Sequence, residues 1–572
     1  MSFVHNSEIA TIFEQIADIL RLQKGNFFRI RAYHQAALML RGMTEDIGNY
    51  VASGRALTDL PHIGINLAAK ITEILETGSC ATLKRLLKHT PSGLTDLLHI
   101  PGLGENRVNT LYHELNIHTR EQLLRASKDG EIQKLHGFGE KIQANIIHFI
   151  QTNQGQKQGM KLALAAQYAE PIVTYLQEVT GVHQVVIAGS YRRCKETVGD
   201  IDILVTASDP PKVLQAFGNY PQVRDILATG STKATVILHC GLQVDLRVVP
   251  KNSYGSALVY FTGSRAHNVA IRQLAKHRAL KINEYGVFNG QDNIASHSEQ
   301  AVYGAIDLPW IAPELRENQG EIEAAQQHNL PSLISLSDLK GDLHAHTLAS
   351  DGHCTLAEMA QAAAHFGLEY LAITEHSKRL TIAHGLDEKR LEMQIAEIDQ
   401  LNEQLKGITL LKGIEVDILA DGQLDLSAAI LAKLDLVIGA VHSHFHLSRN
   451  QQTERILRAM DQPYFTILAH PTGRILQTRQ PYDVDMQRIL KQAKKRGCFV
   501  ELNAQPDRLD LSAVHCQMAK AEGVLVSINS DAHQITDFAN LKYAVGQARR
   551  GWLGKNDIFN TRSLSALRQL LA

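Results

Sequence analysis

From residue 337 onward the chain alternates short apolar runs with amphipathic segments, and this alternation restricts the fold more than any other feature. Seven runs carry it: KGDLHAHT (340–347), YLAITEHS, LLKGIEVDIL, LVIGAVHSHF, FTILAHPTG, CFVELNAQ and VLVSINSDAH (524–533). Between them lie segments such as TLAEMAQAAAHFG and DMQRILKQAKKRG, with apolar residues at three- and four-residue spacing. Apolar strands separated by helices form a parallel sheet, and in a closed sheet the C-terminal strand ends gather on one face. Six of the seven runs end in residues that can ligate a metal. The expectation is a distorted (β/α)7 barrel over 337–572 with several ions at one mouth. Mixed imidazole and carboxylate donors suit Mn2+, Zn2+ or Fe2+ better than Mg2+.

A second constellation lies mid-chain, in VVIAGSYRRCKETVGDIDILV (185–205). Val185 to Ala188 read as a buried strand, broken by a turn at Gly189-Ser190. Asp200 and Asp202 alternate with Ile201 and Ile203, so a strand places both carboxylates on one face. Like charges so placed repel, and a cation between them removes the conflict. Mg2+ or Mn2+ fits best, since both prefer carboxylate and phosphate oxygens. LQVDLRVV (242–249) is another apolar strand, centred on Asp245. Three aspartates on neighbouring strands can hold two metals about 3.5–4 Å apart, the geometry of phosphoryl and nucleotidyl transfer.

These residues resemble the nucleotidyltransferase palm of the polymerase-beta-like family X. The resemblance extends through YGSALVYFTGSRAHNVAIRQLAKHRALKINEYGVF (254–288), where YFTGS, HN and NEYG match that family's nucleotide pocket. It implies template-directed DNA synthesis on gapped or primed DNA from deoxynucleoside triphosphates, with Asp200, Asp202 and Asp245 catalytic. By the same resemblance Gly189, Ser190, Arg193 and Gly199 lie at the triphosphate. Tyr260 and Phe261 lie against the sugar, Gly263 permits close approach, Asn268 meets the base and Arg272 the template strand.

The C-terminal pattern resembles the PHP (polymerase and histidinol phosphatase) domain. Its nine ligands fall on His344, His346, Asp351, His376, Glu415, His442, His470, Asp531 and His533. The resemblance implies one ion on His344, His346, Glu415 and Asp531, a second on Glu415, His442 and His470, and a third on Asp351, His376 and His533. It further implies 3′–5′ exonuclease and abasic-site endonuclease activity. His353, His444 and His446 match no ligand position, and Glu375 stands where aspartate usually precedes the histidine.

The front of the chain reads as helical. IATIFEQIADILRLQ and RAYHQAALMLRGM are amphipathic, and three glycine turns each precede a helix: LPHIGINLAAKITEILETG (60–78), LLHIPGLGENRVNTLYHEL (97–115) and LHGFGEKIQANIIHFI (135–150). This is the helix-hairpin-helix arrangement, in which backbone N–H groups face a DNA phosphate without reading bases. Gly64, Gly102, Gly104, Gly137 and Gly139 are the candidate DNA contacts. The first hairpin resembles the polymerase beta lyase domain, with Lys70 at the Schiff-base position and Asn66 where that relative carries another lysine. Lys70 is thus either a lyase nucleophile or a solvated helix lysine.

The expected organisation is a lyase-like domain (1–90), a helix-hairpin-helix region (91–155), a palm (156–250), a nucleotide-selection subdomain (251–313), a polar linker (314–336) and the barrel (337–572). A further polar linker is expected at 151–160. Net charge is −1, with a mildly basic front and an acidic back. Six cysteines without a C-x-x-C pair, no long apolar run and no signal-like start lead to the expectation of a cytoplasmic monomer with no membrane contact. The alternatives are a non-templated nucleotidyltransferase with an attached phosphoesterase, and a DNA-binding scaffold.

Overall fold

The computed structural model describes residues 6–43, 47–88, 90–91, 93–100, 102–152 and 159–571. It divides into two compact units, Met1–Gln158 and Gly159–Ala572. Most of the linker expected at 151–160 falls outside the described residues, as do the first five residues. None of the described helices is long and apolar enough to cross a membrane.

The first unit is helical and built around two apolar cores. Helices Asn6–Leu22, Phe27–Gly42, Ile47–Ala52, Ile65–Thr77 and Ala81–Leu87 share one, through Ile9, Phe13, Tyr33, Ile71 and Ile74. Asn26 caps the second of these helices by accepting from the Arg29 amide at 3.2 Å. Helices Glu105–Leu115, Arg120–Lys128 and Glu140–Thr152 share the other core, through Leu97, Val108, Leu111, Leu123 and Ile146.

The second unit begins with a two-residue pairing of β1 (Met160–Lys161) and β3 (Thr197–Val198). The palm sheet comprises β2 (Val182–Ile187), β4 (Asp200–Ala207), β5 (Val223–Thr229), β6 (Lys233–Leu238) and β7 (Gln243–Val248), in the order β2-β4-β7-β6-β5. β4 and β7 run parallel with Asp202 opposite Asp245, while the other neighbours are antiparallel. Ile201, Ile203, Val244 and Leu246 face the core, so the period of two turns the aspartates to the other face. Helices Tyr254–Thr262 and Arg265–His277 follow. A small antiparallel sheet of β8 (Leu280–Asn283), β9 (Gly286–Asn289) and β10 (Asp292–Ala295) comes next.

Residues 314–336, expected as a polar linker, are anchored in the core through Leu315, Arg316, Glu321, Ile322 and Ala325. Arg316 and Glu321 are fully buried. Arg316 donates to Glu299 at 2.8 Å, and Glu321 pairs with His267 at 2.6 Å, whose other ring nitrogen meets the Tyr303 hydroxyl at 2.8 Å. Arg316 and Glu321 pair with groups outside the segment, which a composition-based reading does not detect.

The barrel consists of β11 (Gly341–Asp342), β12 (Tyr370–Ile373), β13 (Thr409–Asp417), β14 (Leu436–Ala440), β15 (Phe465–Leu468), β16 (Phe499–Asn503) and β17 (Val526–Asn529). All seven are parallel and adjacent in chain order. The chain just beyond β11 bridges to that just beyond β17 at Ala345 and Ala532, nearly closing the sheet. Helices such as Leu356–His365, Met486–Arg496 and Leu541–Arg550 form its outer layer. Thr355 opens the first of these with a capping box to Glu358.

Candidate functional site

All nine expected barrel ligands converge on the face where the strands end. Glu415, near the end of β13, is central. Its Oε2 lies 2.6 Å from His376 Nδ1 and 3.6 Å from His344 Nε2; its Oε1 lies 2.9 Å from His470 Nε2 and 3.3 Å from His442 Nε2. Asp531 Oδ1 lies 3.2 Å from His346 Nε2 and 3.5 Å from His344 Nε2. Asp351 stands 3.4 Å from His376 and 3.5 Å from His533.

Three groups have ligand atoms within 4.8 Å of one another: His346, Asp351, His376 and His533; His344, His346 and Asp531; and His376, Glu415 and His442. The grouping differs from the expected sets, in which Glu415 was the one shared residue. His346 and His376 each reach two groups, because carboxylates at the centre draw neighbouring imidazoles together. His353, His444 and His446 are exposed and outside these groups.

The donor set fits divalent cations. His344 Nε2, both ring nitrogens of His346, His376 Nδ1 and Glu415 Oε2 are buried with no hydrogen-bond partner among the described residues. Buried polar atoms are ordinarily paired, and aiming them at one point makes a ligand cage. Burial alone pushes the Glu415 carboxyl up, but His376, His442 and His344 hold it well below the usual carboxylate range. Burial together with His533 and His376 pushes His346 down to about 4, leaving it neutral as a ligand must be. Burial works against charge on His376, yet Glu415 and Asp351 raise it to about 10. A cation entering there displaces a proton.

Sequence reasoning missed the residues that aim these ligands. Glu501 accepts from His344 Nδ1 at 2.7 Å, from the His470 amide at 2.8 Å and from Asn529 at 2.8 Å. Asn503 donates to Asp531 at 3.0 Å, and Asp417 lies 3.3 Å from His442 Nδ1. A carboxylate inside the apolar run CFVELNAQ was the available signal, the same one that marks Glu415 in LLKGIEVDIL. Glu375 accepts from the Thr347 amide at 3.0 Å, from Gln394 at 2.9 Å and from the Ser350 hydroxyl, so it shapes the loop that delivers Asp351.

In the palm, Asp202 and Asp245 are side by side on β4 and β7, with Asp200 two residues away on the same face. Thr235 and Gln243 both donate to Asp245, the latter at 2.7 Å. A Cβ at Gly189 would run into the Asp202 carboxylate, so glycine is required there by close approach. Burial, then Asp200 and Asp245, push Asp202 up to about 7. Arg247 and Arg193 offset part of that repulsion, and a divalent ion would remove the rest. The three aspartates do not form a group with one ligand atom apiece within 4.8 Å, as three sets of barrel residues do.

Ser190 opens the short helix Gly189–Arg192, and Gly199 immediately precedes β4. Arg193 is tied into the protein, through Nε to Glu317 at 3.0 Å and Nη1 to the Thr262 carbonyl at 2.5 Å. Tyr260 and Phe261 are half-buried with rings 5.1 Å apart, and Arg247 lies over Phe261. Gly263, at φ +71°, ends their helix. Asn268 donates to the Tyr260 carbonyl at 2.7 Å, and its own carbonyl accepts from Arg272 at 3.0 Å.

The three glycine turns share one construction. Ile63, Leu103 and Phe138 are buried; His62, Gly102 and Gly137 before them have positive φ, and Gly64, Gly104 and Gly139 after them precede the helices. A Cβ at Gly64, Gly104 or Gly139 would meet nothing within 4 Å. Arg107, not foreseen, joins two turns by donating to the Gly102 and Gly137 carbonyls at 2.7 and 3.0 Å. Lys70 faces solvent and donates to its own helix at Asn66 O, 3.0 Å away.

Comparison with known proteins matches this architecture segment by segment. Residues 4–80 match a helix-hairpin-helix domain, 94–152 a SAM-like helix-hairpin-helix tandem, 165–236 the DNA polymerase beta palm, 257–317 the DNA polymerase beta thumb and 342–505 the PHP domain. The thumb match runs past residue 313 to include Arg316 and Glu317. A DNA polymerase/3′-5′ exonuclease PolX of Bacillus subtilis (strain 168) is 36% identical over 572 residues, covering 99% of both chains. A probable phosphatase of Thermoanaerobacter sp. (strain X514) is 30% identical over 234 residues, 38% of this chain and 89% of its own. Another, from Caldanaerobacter subterraneus subsp. tengcongensis, is 31% identical over 216 residues, 36% of this chain and 80% of its own. With a full-length relative at this identity, the chain belongs to the bacterial-type family X DNA polymerases, which join a polymerase-beta-like core to a C-terminal PHP domain.

Proposed function

We propose that the protein fills gaps in DNA during repair by template-directed synthesis, and that its barrel removes 3′-terminal nucleotides and cleaves at abasic sites. The observation that carries the reading is the coexistence in one chain of two separate acidic centres, the Asp202–Asp245 strand pair and the Glu415-centred cluster. Asp200, Asp202 and Asp245 would hold Mg2+ or Mn2+, and the nine barrel ligands two or three Mn2+ or Zn2+ ions, with Fe2+ as the other candidate. Such ions supply positive charge against phosphate oxygens and Lewis acidity toward the attacking group.

The chain's own residues do the rest. Ser190 and Arg193 offer a hydroxyl and a guanidinium to the triphosphate, and Tyr260 and Phe261 limit the space beside the sugar. Asn268 and Arg272 meet base and template, and the glycine turns present helix N-termini to the DNA backbone. Glu501, Asn503 and Asp417 keep the barrel histidines and Asp531 oriented for the scissile phosphate. Lys70 is the candidate for a deoxyribose-phosphate lyase step.

The test uses a 5′-labelled gapped duplex with manganese, with and without nucleotides. Asp202→Ala is expected to abolish growth of the primer and leave its shortening; His344→Ala should do the reverse. Loss of both activities in each single variant would overturn the reading of two independent centres.

A further inference from the structure

The barrel grips the palm loop that leads to the polymerase aspartates. Arg550, at the end of the barrel helix Leu541–Arg550, donates through Nη1 to the Arg193 carbonyl at 2.8 Å and to Glu317 Oε1 at 3.0 Å. The same Glu317 oxygen accepts from Arg193 Nε at 3.0 Å. One residue on, Cys194 packs so closely on this helix that a Cβ at Gly546 would stand 2.9 Å from it. Glu196 accepts from Arg474 Nη2 at 2.7 Å and from Gln547. Residues 193–196 are therefore held from the barrel side, while Gly189, at the other end of the loop, abuts the Asp202 carboxylate.

Three charges share this contact: Arg193, Glu317 and Arg550, with side chains 11%, 17% and 14% exposed. Screening is weak in such a place, so removing one of them shifts the potential felt at the loop, to which the neighbouring Glu314–Arg549 and Glu196–Arg474 pairs also contribute. With Arg550 present the trio carries one net positive charge. Without it Glu317 neutralises Arg193, and the Arg193 backbone loses its fixed donor.

We propose that Arg550, a residue of the nuclease barrel, is a positioning residue for the polymerase's nucleotide site: it holds Arg193 and keeps its charge available to the triphosphate. The inference rests on the reading of Arg193 as a triphosphate contact, and adds to it that the barrel completes the site. Glu317 acts in the same assembly, fixing the guanidinium through Nε while Thr262 O fixes Nη1. Among the described residues Nη2 makes no hydrogen bond, which leaves that edge of the fork for phosphate oxygens.

The experiment is steady-state filling of a one-nucleotide gap by the full-length protein with manganese, comparing wild type, R550M, R550K, R193M and R193M/R550M. Shortening of a 3′ end by each variant serves as the control for folding. R550M is expected to raise the nucleotide KM about tenfold, the size of one lost charge-assisted contact, with kcat and 3′ shortening retained. R550K, which keeps the charge, should recover most of the loss. R193M should raise KM as well, and the double variant should be no worse than R193M, because Arg550 acts through Arg193.

An unchanged KM in R550M, or effects that multiply in the double variant, overturns the inference while leaving the Arg193 reading in place. An unchanged KM in R193M overturns the Arg193 reading itself. If R550M fails to shorten 3′ ends, R550Q, which keeps a donor for the Arg193 carbonyl but removes the charge, is measured against R550K instead. Equal KM values for those two would overturn the inference.

Discussion

Glu501 accepts the Nδ1 proton of His344 at 2.7 Å, joining two fully buried residues 157 positions apart in the chain. The bond orients the imidazole so that Nε2 faces Asp531 and Glu415. Against the effect of burial, the charges of Glu501, Asp531 and Glu415 raise the His344 pKa, and a cation bound at Nε2 would displace its proton. A histidine in an apolar strand becomes a ligand because a second carboxylate behind it decides which nitrogen points forward.

Glu501→Gln should therefore weaken metal binding in the barrel by about 10–100-fold, the usual effect of losing such a partner. Manganese titration of 3′ shortening, alongside metal analysis of the purified variant, measures it. Nucleotide addition should be unaffected, and an unchanged titration would mean His344 is oriented by packing alone.

Gly104→Ala and Gly139→Ala should change stability by no more than about 0.5 kcal/mol, since neither Cβ meets a neighbour. Affinity for gapped duplex, followed by fluorescence anisotropy, should fall about tenfold for each turn that faces a phosphate. Full affinity in both variants would show that these glycines serve the fold only.

The position of Asp202 gives a pH dependence with a definite sign. Burial, Asp200 and Asp245 raise it from 3.8 to about 7. Below the lower value folded and unfolded chains both hold the proton, and nothing is lost. Between the two values only the folded chain holds it, so stability falls as pH rises towards 7 and stays lower above it. Asp202→Asn should stabilise the metal-free protein at pH 8 by about 1–3 kcal/mol. The advantage should shrink towards pH 4, as read by thermal melting in chelator. Added Mg2+ should narrow the gap at pH 8 by stabilising wild type more than the variant.

Glu299 joins Arg192, Arg316 and the Trp310 indole, at 2.7, 2.8 and 2.9 Å. Burial alone raises its carboxyl, but Arg192 and Arg316 bring it down to about 2, so it is charged at every working pH. Glu299→Ala leaves the fully buried Arg316 without its carboxylate and should cost about 3–5 kcal/mol. Guanidinium unfolding followed by tryptophan fluorescence reports it, both tryptophans being in this unit.

Much of the fold and of the site was legible in the sequence. Ile201 and Ile203 alternate with Asp200 and Asp202, and strand geometry places such residues on opposite faces wherever the strand sits. The candidate barrel ligands, Asp351 apart, were legible because they sit at or near the ends of apolar runs. The segment 314–336 was misread for a related reason: Arg316, Glu317 and Glu321 look solvated when their partners are unknown. Arg193 stands out as a candidate by its place after Gly189-Ser190, but its tie to Glu317 does not.

The sequence by itself determined the candidate residues for the chemistry and the strands that carry them, since alternation, turn residues and ligand type are local properties. Only the tertiary structure decided how those residues are aimed. Closing the barrel brings Glu501 behind His344, and packing the barrel on the palm brings Arg550 to Glu317. Such pairings depend on distances across the folded chain, where burial removes water and makes a single carboxylate the arbiter of orientation and charge.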